Sequence, residues 1–255
     1  MIETGFILVG HGSKNSKMLT EFHHTTKGIE LMFPKTPIEF SFLEILNPNS
    51  DQAIQKILKR NKDLKKIVFI PLLLFSSNHF MIDIPIIIKE SQKNFPSIQF
   101  FSQKPFMNDP YLSKLLFLRI KRLVSKDIEK KDLNKKKVII LVARGMKDLA
   151  SKKSFEKITT LTQKAFPFHK TYSSFIGINE PRLEKILRKV AKDDPNEIFI
   201  VPYLLFYGYL VEKIKNITQM FSLQKPKIQI KISHHLGPHA LLNLSIKEKC
   251  IPYLN

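Results

Sequence analysis

The chain has 255 residues, 43% of them hydrophobic and 20 of them Phe, enough to build its own core and too apolar for a disordered chain. A single cysteine, Cys250, excludes an internal disulfide framework and any multi-cysteine metal site on one chain, and suits a reducing compartment. Lys and Arg outnumber Asp and Glu by 42 to 22, a net +20 that favours polyanionic partners without specifying a fold; a compositional bias toward lysine explains it equally well.

Taken in chain order, the first ten residues carry Glu3 and no basic stretch, so no secretory leader is read there. Phe6–Gly10 is a short apolar strand followed by a Gly-rich turn. Phe22 to Phe33 has helical spacing and is stopped by Pro34 and Pro37. Ile38–Leu43 alternates as a strand and ends at Glu44. In Asp51 to Lys62, Ala53, Ile54, Ile57 and Leu58 share one helical face. Ile67–Leu73 is a continuous apolar strand, Ile84 to Phe95 a helix, Ile98–Ser102 a strand and Pro110 to Val124 a helix. The longest apolar windows, Ile67 to Phe75 and Ile198 to Leu205, fall well short of the ~20 residues that span a bilayer. A soluble, cytoplasmic protein is therefore expected.

The pattern then repeats. Ile7-Leu-Val-Gly-His-Gly-Ser13 has a counterpart in Ile140-Leu-Val-Ala-Arg-Gly-Met146. Phe42-Leu-Glu-Ile-Leu-Asn-Pro48 has one in Phe175-Ile-Gly-Ile-Asn-Glu-Pro181. Ile67 to Phe75 has one in Ile198 to Phe206. The offsets are 133, 133 and 131 residues, one order at nearly one spacing, the signature of two related halves. Between them the charged run 126–137 lacks apolar periodicity and reads as a linker. The division expected is 1–125, a linker at 126–137, and 138–255. The second half is the more basic: 23 cations against 10 anions from residue 131 onward, and 19 against 12 before it. Continuous apolar strands alternating with helices predict parallel sheets covered on both faces. The expected fold class is α/β, two tandem small doubly wound domains of about four parallel strands each.

Ligands of such sheets bind beyond the carboxyl ends of the strands. There the first half places Gly10-His11-Gly12-Ser13, then Glu44, then Ser76-Ser77-Asn78-His79. Two imidazoles and a carboxylate from three loops suit a borderline divalent metal, and supply proton acceptors near neutral pH. A lone histidine after a strand is more often a turn residue; the coincidence of all three at one edge favours a site. Gly10-x-Gly12 lacks the third glycine of a dinucleotide fingerprint, and no GKS/GKT phosphate loop occurs. His23 and His24 lie in a helical pattern and diverge by about 100°, which makes them surface residues. His234, His235 and His239 are a competing cluster. The repeat puts Arg144 at the position of His11, Gly177 at Glu44 and Leu210 at His79: the second half keeps the strands and loses the candidate chemistry.

Leu8-Val-Gly-His-Gly-Ser13, Phe42-Leu-Glu44, and Ile70-Pro-Leu-Leu-Leu-Phe75 followed by His79 and Asp83-Ile-Pro85 together resemble the sirohydrochlorin chelatases, the ATP-independent class, over essentially the whole chain. The resemblance implies a catalytic first domain and a degenerate second domain forming the other wall of a cleft. It implies insertion of Co²⁺ or Fe²⁺ into sirohydrochlorin, on the way to cobalamin or sirohaem, with Ni²⁺ handled by some relatives. The metal is then a substrate, and no permanently bound cofactor is implied. His11 would be proton acceptor and metal ligand, His79 the second metal ligand, and Glu44 a catalytic and substrate-contacting carboxylate. Gly12, Ser13, Leu73, Leu74, Phe75, Ser76, Ser77 and Asn78 would line the macrocycle pocket, and Arg144 would face a substrate carboxylate. Departures are Ser76 and Ser77 where relatives often carry glycines, and Asp109 where they often carry histidine. The partner expected is the small tetrapyrrole, with neither nucleic acid nor membrane, and two halves in one chain make a monomer the expected state. The alternatives are a metal storage or delivery protein without insertion, and a basic nucleic-acid-binding module.

Overall fold

In the computed structural model, residues 3–76, 79–128 and 136–254 are described, leaving aside the side chains of 79 and 125–128. β1 (Thr4–Gly10), α1 (Ser16–Met32), β2 (Ile38–Phe42), α2 (Ser50–Arg60), β3 (Lys66–Pro71), α3 (Ile84–Asn94), β4 (Gln99–Ser102) and α4 (Pro110–Ile128) follow in order. β5 (Lys137–Ala143), α5 (Leu149–Ala165), β6 (Lys170–Phe175), α6 (Leu183–Ala191), β7 (Glu197–Pro202), α7 (Tyr209–Gln224), β8 (Gln229–Ile232) and α8 (Ala240–Cys250) complete the chain. All sheet pairings are parallel, in the order β2-β1-β3-β4 and again β6-β5-β7-β8. This is the doubly wound α/β architecture expected, four strands to a sheet. Among the described residues no helix is long and apolar enough to cross a membrane.

The central strands explain themselves. Phe6, Ile7, Leu8 and Val9 of β1, and Ile139, Ile140, Leu141 and Val142 of β5, are fully buried, as strands covered on both faces must be. Helix ends follow local chemistry. Asn15 caps α1 by accepting from the Lys17 N–H, so the helix starts six residues before the apolar period at Phe22 reveals it. Asn49 and Gln52 close a capping box on α2. A π-helical turn, His79–Asp83, runs directly into α3, where the sequence suggested only loop before Ile84.

The two compact units are Met1–Tyr111 with Gly237–Asn255, and Leu112–Leu236. The repeat assigns α8 to the second half; packing assigns it to the unit of the first sheet. In that unit Leu242, Ile246 and Cys250 of α8 are buried. The α-carbon of Gly28 on α1 lies so close to the Asn243 side chain that a β-carbon would collide with it. Ser245 donates to the Asp109 carboxylate at 2.6 Å, and Lys249 donates to the Lys104 carbonyl at 2.8 Å while lying over the Phe106 ring. Burial pushes the Cys250 thiol up to about 12 and holds Lys249 below the usual lysine range. In the other unit α4 buries Leu115, Leu116 and Ile120, sets Phe117 edge-on to Phe166 and donates from Arg119 to the Leu236 carbonyl. Of the expected linker, 126–128 belong to α4, 129–135 lie outside the described residues, and Lys137 opens β5.

Candidate active site

In the order β2-β1-β3-β4 the chain reverses direction across the sheet at β1, which places a crevice at the carboxyl ends of β1 and its neighbours. Hydrogen bonds between the two segments continue past the ends of β1 and β2. The Leu43 N–H donates to the Gly10 carbonyl at 2.9 Å, and the Glu44 N–H to the His11 carbonyl at 3.0 Å. That last bond sets the two candidate side chains beside one another, His11 Nδ1 4.0 Å from Glu44 Oε2. Their side chains are 27% and 48% exposed, with the His11 Nε2 atom itself buried. The separation exceeds a hydrogen bond and leaves the pair favourable by Coulomb attraction whenever the imidazole is protonated.

Gly12 makes the approach possible. Its φ is +97°, and a β-carbon there would run into the Glu44 carbonyl oxygen; glycine is the residue that meets both demands. Ser13 Oγ accepts from the Asn15 N–H at 3.2 Å, shaping the entry to α1. After β2, the Leu46 N–H donates back to the Glu44 carbonyl at 2.7 Å, and Ile45 between them has φ +70°. After β3, Leu73, Leu74, Phe75 and Ser76 are half-buried. The Phe106 N–H holds the Leu73 carbonyl at 2.9 Å, and Ser76 Oγ lies 3.9 Å from Met107 Sδ. Ser77 and Asn78 lie outside the described residues, as does the side chain of His79, whose backbone opens the π-turn before α3. The described residues therefore bring together His11, Gly12 and Glu44, with Leu73–Ser76 on the adjoining strand end.

The second unit repeats the backbone without the side chains. Ile176 donates to the Ala143 carbonyl at 3.0 Å, Gly145 has φ +116°, and a β-carbon on Gly177 would collide with the Arg144 carbonyl. Arg144 is exposed at the end of β5 and Leu210 lies in the first turn of α7. The competing histidines are otherwise engaged. His239 caps α8, its Nδ1 accepting from the Leu241 N–H at 3.1 Å. His235 is buried edge-on to Tyr207, and His234 lies against it with ring centroids 5.2 Å apart. Among the described residues no group of three metal-ligating side chains converges. His23 and His24 are exposed on α1, as the helical spacing indicates. A basic groove of about 640 Å³ on α6, lined by Arg182, Lys185, Arg188, Lys189 and Lys192 with Glu180 and Glu184, contains none of the candidate residues.

The CbiX family model matches residues 5–123 and again 138–251. The chain belongs to this family, the sirohydrochlorin chelatases. The second match begins at the residue where the sequence repeat places the second half. As a CbiX-family chain it is 28% identical over 238 residues to the sirohydrochlorin ferrochelatase of Bacillus subtilis (strain 168), covering 93% of this chain and 87% of that protein. It is 24% identical over 248 residues to the sirohydrochlorin cobaltochelatase of Priestia megaterium, covering 95% and 78%. The solved structure of SirB from Bacillus subtilis with Fe³⁺ superposes with a TM-score of 0.83 at 25% identity, over 99% of this chain and 96% of that one.

His11, Gly12 and Glu44, singled out by their places after strands, lie together in the fold. Sequence reasoning missed Ile45, because nothing in Glu44-Ile-Leu46 signals a positive φ. It also missed His239 as a helix cap, although a polar residue directly before an apolar run was visible.

Proposed function

We propose that the protein inserts a divalent metal, Co²⁺ or Fe²⁺, into sirohydrochlorin, with the unit holding β1–β4 as the catalytic one. The observation that carries this is the His11–Glu44 pair, fixed by a backbone hydrogen bond at the carboxyl edge of the sheet, in a chain of this family. Metallation removes two pyrrole N–H protons as a dication arrives. In the neutral form, His11 offers a ring nitrogen that takes a proton or holds the incoming metal loosely. Glu44, 4.0 Å away, stabilises the resulting imidazolium or orients the ring. His79, at the start of the π-turn after β3, is the proposed second ligand to the metal substrate.

Substrate recognition is proposed to rest on residues that follow strands. Gly12, Ser13 and Leu73 to Asn78 are proposed to line the macrocycle site. Arg144, exposed at the end of β5, is proposed to bind one of the eight carboxylates of sirohydrochlorin. A net +20 favours the encounter with such a polyanion. The absence of a Walker A loop from the sequence supports insertion without nucleotide hydrolysis.

The test is spectroscopic. Purified protein is mixed with sirohydrochlorin and Co²⁺, Fe²⁺ or Ni²⁺ in parallel, and the metallated product is followed by absorbance. Faster product formation than in protein-free controls is expected, and the preferred ion assigns the pathway, cobalamin or sirohaem. Metal binding with no acceleration for any ion would instead make this a metal-delivery protein.

A further inference from the structure

Ile45 stands in a conformation that costs stability and buries little. The hydrogen bond from the Leu46 N–H to the Glu44 carbonyl, at 2.7 Å with φ +70° at Ile45, closes a γ-turn of positive φ, the rare and strained form. A β-branched residue in this region is a genuine outlier; glycine or asparagine would make the same turn at lower cost. Such strain is ordinarily offset by burial, yet Ile45 is 59% exposed. The backbone geometry therefore does not explain the isoleucine. Its side chain is accessible to a solute.

Its location says where. Ile45 directly follows Glu44 beyond the carboxyl end of β2, and the π-turn opened by His79, in the connection from β3 to α3, exposes Met81 and Ile82. The repeat supplies a comparison. Ile178, in register with Ile45, is also exposed, but Ile45, Asn108 and Asp194 are the described non-glycine residues of positive φ. The second copy has thus lost the glutamate and histidines, kept the exposed isoleucine, and carries no such turn.

We propose that Ile45 is a substrate-contact residue that sets affinity for the tetrapyrrole. The γ-turn fixes the exposed Ile45 directly after Glu44, where its side chain covers hydrocarbon surface of the macrocycle while the His11–Glu44 pair addresses the ring nitrogens. Binding sites of this kind combine apolar walls with few polar groups. The assignment rests on the chelatase function proposed above.

The full-length protein is compared with Ile45→Asn, which tolerates positive φ and removes the apolar contact, and Ile45→Val, which keeps most of it. Three readouts are taken: binding of metal-free sirohydrochlorin by absorbance titration, steady-state insertion, and thermal unfolding. For Ile45→Asn, Kd and KM should rise about tenfold with kcat within about twofold, while Tm holds or rises by about 2–4 °C as the strain is relieved. Ile45→Val should stay within about threefold on Kd. Unchanged Kd and KM in Ile45→Asn, with wild type binding and metallating normally, would overturn the role of Ile45 alone. A lower Tm with a matching loss of kcat would make it a folding residue, which also overturns the role. Failure of the wild type to bind sirohydrochlorin removes the proposed function itself, and this assignment with it.

Discussion

The Glu44 N–H donates to the His11 carbonyl at 3.0 Å, one residue past the last paired residue of β1 and two past that of β2. A hydrogen bond between backbones thereby sets a distance between side chains. Neither loop needs a specific side-chain contact to find the other, because the ladder delivers both ends in register and Gly12 admits the close approach.

His11→Ala and Glu44→Gln should each lower kcat for metal insertion at least about 100-fold. Both side chains are on solvent-accessible loops, so Tm should move little. Steady-state kinetics beside thermal unfolding check this. A variant that melts early would mark its residue as structural.

Arg144→Ala should raise KM several-fold with kcat nearly unchanged, since a carboxylate contact binds ground and transition states alike. The guanidinium is exposed, so the difference from wild type should shrink as salt rises. A salt-independent loss of kcat would argue against a carboxylate clamp.

Because α8 completes the unit of the first sheet, a fragment ending at residue 130 should fold poorly. It lacks Leu242, Ile246 and Cys250 and leaves the apolar face of α4 uncovered. Residues 1–111 joined by a flexible linker to 237–255 should unfold more cooperatively in urea than residues 1–130. The reverse order of stability would contradict the packing.

Glu39 is buried on β2 and held by Lys56 at 2.7 Å and Arg60 at 3.0 Å, both reaching in from solvent. The cost of breaking the cluster should therefore be asymmetric. Replacing both cations by methionine strands the carboxylate and should cost about 3 kcal/mol. Glu39→Leu frees two exposed cations into water and should cost about 1 kcal/mol or less. Denaturant unfolding separates these outcomes.

The unfolded Cys250 thiol ionises near 9.0 and the folded one at about 12. Between those values the unfolded chain has lost a proton that the folded chain keeps. This contribution to stability is full below pH 9 and falls as pH rises toward 12. Lys249, held below 10.5 by burial, works in the opposite sense, with stability rising as pH approaches 10.5. Cys250→Ala removes the first effect, so wild type should lose stability relative to the variant above pH 9, by up to about 1.4 kcal/mol per pH unit. Urea unfolding of both proteins at pH 8.5, 9.5 and 10.5 measures it; a constant difference would place the thiol in contact with water.

The sequence by itself determined the α/β class, the two related halves, and the placing of His11 and Glu44 after β1 and β2. These follow from local rules: apolar runs make buried strands, and parallel sheets gather their ligands where strands end. The halves were legible because repetition is a property of order along the chain. Only the tertiary structure decided that α8 joins the unit of the first sheet and α4 that of the second, since an amphipathic helix does not encode which of two similar apolar faces it will bury. The γ-turn at Ile45 was equally invisible. An isoleucine favours extended backbone by its own propensity, and its positive φ is imposed by the hydrogen bonds that hold Glu44 on both sides.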